Sequence, residues 1–354
     1  MKQQTGFVKK SKALLTLGII LLLTWGKIYS QDNTADSLHV QYLRDPWAAL
    51  DSIPAQHYLT LRHDNDFFNV AGQGTDEYYT AGIYIQYSFL GRRHRNLLNK
   101  ILFSPYSSSP SFYTIGATQL MYTPNNLGEH GTVKNDYPSC GVLFLNFSRE
   151  NRLSDKQLFR SELWLGTTGP AALADQDQVF VHHFIKSVIP RGWEHQIPNY
   201  PVINYNLYYE ANLLSLGRNI KINGVAHTQT GTLLNNAEVG LNLLLSNQKD
   251  NYFPSRIYAV NKTEASKKWK LFMELRPSVK LVATDATLQG GLWGNKDYYH
   301  VNEGDLQRVV MEGTGVIGLR VKNFSIDYRQ VFESAEFKSV HSHVYGVVVI
   351  SCRL

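Results

Sequence analysis

Residues 79–89 read YTAGIYIQYSF, and their parity decides the fold. Tyr79, Ala81, Ile83, Ile85, Tyr87 and Phe89 share one parity; Thr80, Gly82, Tyr84, Gln86 and Ser88 share the other. Side chains of a strand alternate between its two faces, so this stretch carries one apolar face and one more polar face. The pattern returns along the chain. Tyr205, Leu207, Tyr209, Ala211 and Leu213 alternate with Asn204, Asn206, Tyr208, Glu210 and Asn212. Residues 269–278 and 324–332 repeat it, with Trp269, Leu271, Met273 and Leu275 on one face of the former and Lys270, Glu274 and Arg276 on the other. Two-faced strands of about ten residues mark an all-β transmembrane antiparallel barrel. A soluble antiparallel sandwich with one wet face shares the alternation.

The N-terminus favours the barrel. Residues 1–30 hold five lysines and no acid, with Lys9, Lys10 and Lys12 ahead of an apolar run over residues 13–25 and a cleavage point at Tyr29-Ser30-Gln31. The run is shorter than the ~20 apolar residues a membrane span needs, which favours a cleaved secretory signal over an anchor helix. The expected division is therefore residues 1–30 as signal peptide, 31–55 as a lead segment and 56–354 as one outer-membrane barrel domain. Of the formal charge of +6, only +1 remains once those lysines are removed. The basic balance thus gives no support to nucleic-acid binding. Charged residues are 18% of the chain and tyrosines number 21, a composition suited to a lipid interface. Cys140 and Cys352 form no metal-type pair and read as two buried thiols, with a single disulfide as the alternative.

Polar stretches at 104–111, 125–138, 247–253 and 284–305 separate the strands. One segment breaks the alternation. Residues 170–188, PAALADQDQVFVHHFIKSV, begin with proline, carry Asp175 and Asp177 early and Lys186 late, and so predict a helix. Gln178 and His182, four apart, share one of its faces. The second polar concentration is His63-Asp64-Asn65-Asp66, followed after a short loop by Asp76-Glu77-Tyr78-Tyr79-Thr80. Neighbouring strands are expected to bring Asn65, Asp66 and Thr80 together, and such oxygen donors suit a hard cation such as calcium. The alternative is a solvated strand end with turn-forming Asp and Asn. His182 is a candidate general base, against the structural role that most histidines have.

The segments HDNDFF, DEYYTAG, MYTP, LGTTGPAALADQDQVFVHH and GWEHQIPN, with ATLQGG and SAEF later, resemble in order and spacing the outer-membrane lipid A 3'-O-deacylase (LpxR-type) family. The resemblance runs from about His57 to the C-terminus. It implies a barrel of about twelve strands, with a short helix from an outer loop over an active site at the barrel wall. It also implies calcium as cofactor, lipid A within lipopolysaccharide as substrate, outer-membrane lipids as surroundings and a monomer. Carried over by motif, His182, Gln178 and Asn65 fall at catalytic positions and Asp66 and Thr80 on the metal side. The chemistry is coherent, because an imidazole can take a proton from water while a cation holds the developing oxyanion. No G-x-S-x-G supports a serine nucleophile.

Two departures stand out. The family's acidic residue six positions after the helix histidine is Val188 here, and the nearest acid downstream, Glu194, is the candidate to replace it on the metal. Lys134 is the one candidate for a basic residue in the loop after MYTP. The function expected is a calcium-dependent esterase removing acyloxyacyl chains from lipid A. The alternative is a catalytically silent barrel with a structural or lipid-binding role.

Overall fold

In the computed structural model, residues 57–70, 77–91, 97–105, 111–128, 134–154, 156–217, 219–247, 269–291 and 298–354 are described. The expected signal and lead segments lie outside them. Twelve antiparallel strands close into a barrel: β1 (His57–Asn65), β2 (Tyr78–Gly91), β3 (Ser111–Thr123), β4 (Cys140–Ser154), β5 (Gln157–Thr168), β6 (Pro201–Leu216), β7 (Ile220–Gly231), β8 (Leu234–Ser246), β9 (Trp269–Asp285), β10 (Val309–Val321), β11 (Phe324–Glu333) and β12 (His343–Arg353). Each strand pairs with its sequence neighbour, and β1 pairs with β12 from Tyr58↔Arg353 to Asn65↔Gly346, so no edge is left open. No described helix is long and apolar enough to cross a membrane; the strands cross instead.

The alternation resolves as a membrane barrel requires. Ile83, Ile85, Ile115, Leu145, Leu165 and Ile317 are exposed on the outer face, where lipid removes the penalty that water would impose. Asn146, Asn206, Glu210, Asn223 and Asn242 are buried inside. Three of them form a cluster: Asn223 and Asn242 donate to Glu210 Oε1 at 2.8 and 3.0 Å. Nearer the other end, Arg62 donates through Nε and Nη2 to the two oxygens of the buried Asp64, each at 2.6 Å, and Tyr79 adds a third bond at 2.8 Å. Asp64 therefore serves the lumen and not the cation cluster.

Leu207, Tyr209 and Ala211 of β6 depart from the simple pattern. They face outward but pack with Phe159 in a buried cluster. The chain around the short helix α1 (Leu97–Ile101) reaches this face, where Phe103 stacks edge-on against Phe159 and donates its N–H to Tyr205 Oη at 2.7 Å. The start of β1 and the C-terminus meet at this end, with Leu354 N donating to His57 O. The opposite end carries the connections of interest. Its loops pack over Tyr78, Tyr137, Leu288, Val301, Leu306 and Phe337, with Leu288 supplied by α3 (Ala286–Gln289), the helix that occupies the start of the expected 284–305 loop. Burial, with Glu333 and Asp285 nearby, pushes the Glu336 carboxyl in this rim well above the usual range, and Tyr137 Oη hydrogen-bonds it. Both cysteines are free thiols; Cys140 is buried and Cys352 only partly so.

Candidate active site between the wall and a loop helix

The β5–β6 connection holds the predicted helix, with a difference at its start. Pro170–Ala172 form a 3-10 turn, Leu173 takes a left-handed conformation at φ 60, and α2 runs Ala174–Ile185. The single expected helix over 170–188 is thus broken and shorter. The break follows from close packing against β4. A side chain on Gly141 would place its Cβ 2.8 Å from Ala174 Cβ and 3.2 Å from Ala172 Cβ, so only glycine there lets the turn and helix settle. Gln119 of β3 fixes the same junction, donating to Ala172 O and to Asp177 Oδ2, each at 2.8 Å.

Those contacts place α2 on the outside of the barrel. Gln119 and Met121 share the parity of exposed Ile115, Gly141 that of Leu145, and Ala81 that of Ile83. Ala174 and Trp193 pack with Ala81 and Met121 in one buried cluster. The helix is inside-out by the standard of soluble proteins. It buries Gln178 and His182, 4% and 3% exposed, against the wall, and presents Phe180 and Phe184, 73% and 83% exposed, with Val181 and Ile185 beside them. Such a face is unfavourable in water and suited to the apolar layer that the neighbouring wall also meets.

The buried pair is held in fixed orientations. At the end of α2 Lys186 turns left-handed, the chain reverses, and Val188 O comes within 2.5 Å of His182 Nδ1. A carbonyl only accepts, so Nδ1 carries the proton and Nε2 is the basic nitrogen. A backbone carbonyl at Val188 thus orients the ring where the sequence offers no carboxylate. Trp193 Nε1, which only donates, bonds Gln178 Oε1 at 2.8 Å, which directs the amide nitrogen Nε2 the other way. That nitrogen is buried and has no hydrogen-bond acceptor among the described residues. An unsatisfied buried donor costs about 1–3 kcal/mol, and functional sites are where such groups persist.

The other expected residues gather on the same outer rim. Asn65 pairs with Ala81. A β-bulge between Tyr79 and Ala81 leaves Thr80 as the extra residue. Tyr79 turns into the lumen toward Asp64, so Thr80 and Ala81 both face outward, and Thr80 Oγ1 meets Thr123 Oγ1 at 2.5 Å. Asn65 caps a 3-10 turn, Asp66–Phe68, through Oδ1 and the Phe67 N–H at 2.8 Å. Asp66 is 2% exposed, and its Oδ2 accepts from Glu77 N at 2.9 Å. Glu194 does not join this group. A 3-10 turn over Gly192–His195 buries Trp193 and leaves Glu194 exposed, because the indole takes the inward position. Lys134 is exposed as well. Among the described residues no three His, Cys, Asp or Glu side chains converge as metal ligands. His343, at the start of β12, was not singled out by sequence; its Nε2 lies 3.3 Å from Asp66 Oδ1. The pair of histidines in His341-Ser342-His343 was the available signal.

A protein-family model described as Outer membrane protein LpxR matches residues 34–354. The chain belongs to the LpxR family. It is accordingly an outer-membrane protein of a family that acts on lipid A. Among solved structures, LpxR from Salmonella typhimurium is similar at a TM-score of 0.65 with 17% identity, over 83% of this chain and 99% of that one, a likeness of fold. The β domain of the Bordetella autotransporter BrkA covers 85% of this chain and 99% of its own at 8% identity and a TM-score of 0.39. An outer-membrane channel from Pseudomonas putida F1 covers 86% and 97% at 9% identity and 0.38. A comparison with curated protein sequences finds no match.

Proposed function

We propose that this LpxR-family chain is a calcium-dependent ester hydrolase that removes an acyloxyacyl chain from lipid A. The observation that carries the proposal is the inside-out helix α2. It buries a tautomer-fixed histidine and a donor amide against the wall while turning phenylalanines toward the lipid. An ester at the boundary of sugar headgroup and acyl layer is the substrate such a placement suits.

His182 Nε2 takes a proton from water as the water oxygen attacks the ester carbonyl carbon. The bond to the sugar oxygen then breaks, and His182 returns the proton to that oxygen, leaving a hydroxyl on lipid A and a free fatty acid that still carries its secondary acyl chain. Gln178 Nε2 donates to the carbonyl oxygen as negative charge develops on it. Asn65 acts through the turn it caps, fixing where Asp66 sits.

Asp66, Thr80 and Asn65 offer only oxygen donors, the chemistry a hard cation selects, and a carboxylate has about four lone-pair sites, so the Glu77 bond and a metal are compatible. Asp66 would hold the calcium with Thr80 beside it. When bound, the ion would polarise the ester carbonyl. With one carboxylate in the set and Glu194 exposed, affinity should be weak, in the range of about 10⁻⁴–10⁻³ M seen for extracellular sites.

A chelator is therefore expected to abolish release of fatty acid from lipid A in detergent micelles. Calcium, but not magnesium, should restore it; full activity in chelator would remove the ion from the account. A second expectation concerns the seat of α2. Gly141→Leu should lift the helix and lower activity by up to about 10²-fold, while heat-modifiable migration on a gel shows the barrel intact. Wild-type activity in that variant would mean that α2 need not touch the wall. The specific observation behind the silent-barrel reading is Val188 at the position of the family's acid, and inserted, calcium-supplied protein that leaves lipid A unchanged would establish it.

A further inference from the structure

The geometry around Asp66 points to a residue outside the expected set. His343 begins β12, the strand that closes the barrel against β1, and it is buried. Three residues on, Gly346 pairs with Asn65. A Cβ on Gly346 would lie 2.3 Å from Phe68 O, so the absence of a side chain there lets the Asp66–Phe68 turn sit down on β12. That approach brings Asp66 to His343. The imidazole Nε2 is 3.3 Å from Asp66 Oδ1 and 3.3 Å from Tyr79 O, the carbonyl that enters the bulge before Thr80. Both neighbours are acceptors, so Nε2 bears a proton, which it donates to Tyr79 O while lying in ion-pair range of Asp66 Oδ1. The ring cannot easily turn away, being stacked on Tyr345 at 5.6 Å and set edge-on to Tyr78 at 5.7 Å.

We propose that His343 is the positioning residue of the cation site: bonded to Tyr79 O at the Tyr79–Thr80 bulge and 3.3 Å from Asp66 Oδ1, its Nε2–H sets both metal-side residues in one geometry. The inference rests on the calcium reading above and deepens it. Glu77 N, just ahead of β2, holds one carboxylate oxygen and the His343 ring on β12 lies beside the other, so the carboxylate is flanked on both sides. Donors that orient a ligating carboxylate typically contribute about 10–100-fold to metal affinity. His341, two residues earlier, bonds Tyr78 Oη through Nδ1 at 2.8 Å and lies 3.6 Å from Glu77 Oε1, so the same segment of chain also anchors the start of β2.

The test uses the full chain in detergent micelles. Two replacements of similar length separate the donor from mere bulk: His343→Met fills the space without an N–H, and His343→Gln returns one. The readouts are the calcium-dependent rise in Tm and the calcium concentration for half-maximal fatty-acid release. For His343→Met both midpoints should move about 10–100-fold to higher calcium, with lost activity returning as calcium is raised. His343→Gln should recover most of the shift. Midpoints for His343→Met equal to wild type would overturn the positioning role, as would a His343→Gln protein as impaired as His343→Met. A wild-type protein whose Tm and activity ignore calcium would instead overturn the calcium reading itself, and this proposal with it.

Discussion

His182→Ala should lose ester hydrolysis by about 10²–10⁴-fold while still inserting as a closed barrel. The ring contributes the basic nitrogen of the site, and its replacement removes no strand pairing, so heat-modifiable migration should be preserved. His183→Ala is the matched control. The adjacent position lies about 100° round the helix and is exposed, so its loss should change little. Rates of fatty-acid release for the two purified variants check the pair. If His183→Ala were the damaging change and His182→Ala harmless, the face of α2 buried against the wall would not be the catalytic one.

The second large effect is expected at Gln178. Replacement by Met keeps the length and removes the donor, and the loss should be about 10²–10³-fold in kcat, the range for deleting one oxyanion donor. Gln178→Glu keeps an acceptor for Trp193 Nε1 but no donor, so it should fall as far as Gln178→Met. Trp193→Phe leaves the amide in place but frees its orientation, and a smaller loss should follow. A Gln178→Met enzyme with a raised KM and normal kcat would show instead that the amide only binds substrate.

The fold was largely legible because lipid imposes its rule on each strand separately. Residues 79–89, 204–213, 269–278 and 324–332 each declare their two faces without reference to any partner, whereas the count of about twelve strands, which the closed barrel matches, rested on the family resemblance. Gln178 and His182 were legible for the same reason, since helical spacing is local. What the sequence concealed depends on where the backbone leaves a period. Thr80 has lumenal parity along residues 79–89, and only the bulge after Tyr79 turns it outward beside Ala81. Leu173 is an ordinary residue in a helical stretch, yet close packing on Gly141 forces it left-handed and splits the helix.

Acidity near the helix end made Glu194 the natural successor to the missing carboxylate. Trp193, one residue earlier, claims the inward direction and leaves Glu194 exposed. The carbonyl of Val188 holds the ring by a backbone atom, to which residue identity is silent. His343 meets Asp66 across the closure of the barrel, from the far end of the chain, and no spacing rule connects them.

All of these contacts converge on one claim, that the space between α2 and the wall hydrolyses an ester of lipid A. Mass spectrometry of lipid A from outer membranes carrying the wild-type chain, with calcium supplied, tests it most directly. The account predicts a lipid A species lighter by one acyloxyacyl unit, absent when the membranes carry His182→Ala. Unchanged lipid A in membranes where the wild-type barrel is inserted and calcium is present would contradict it.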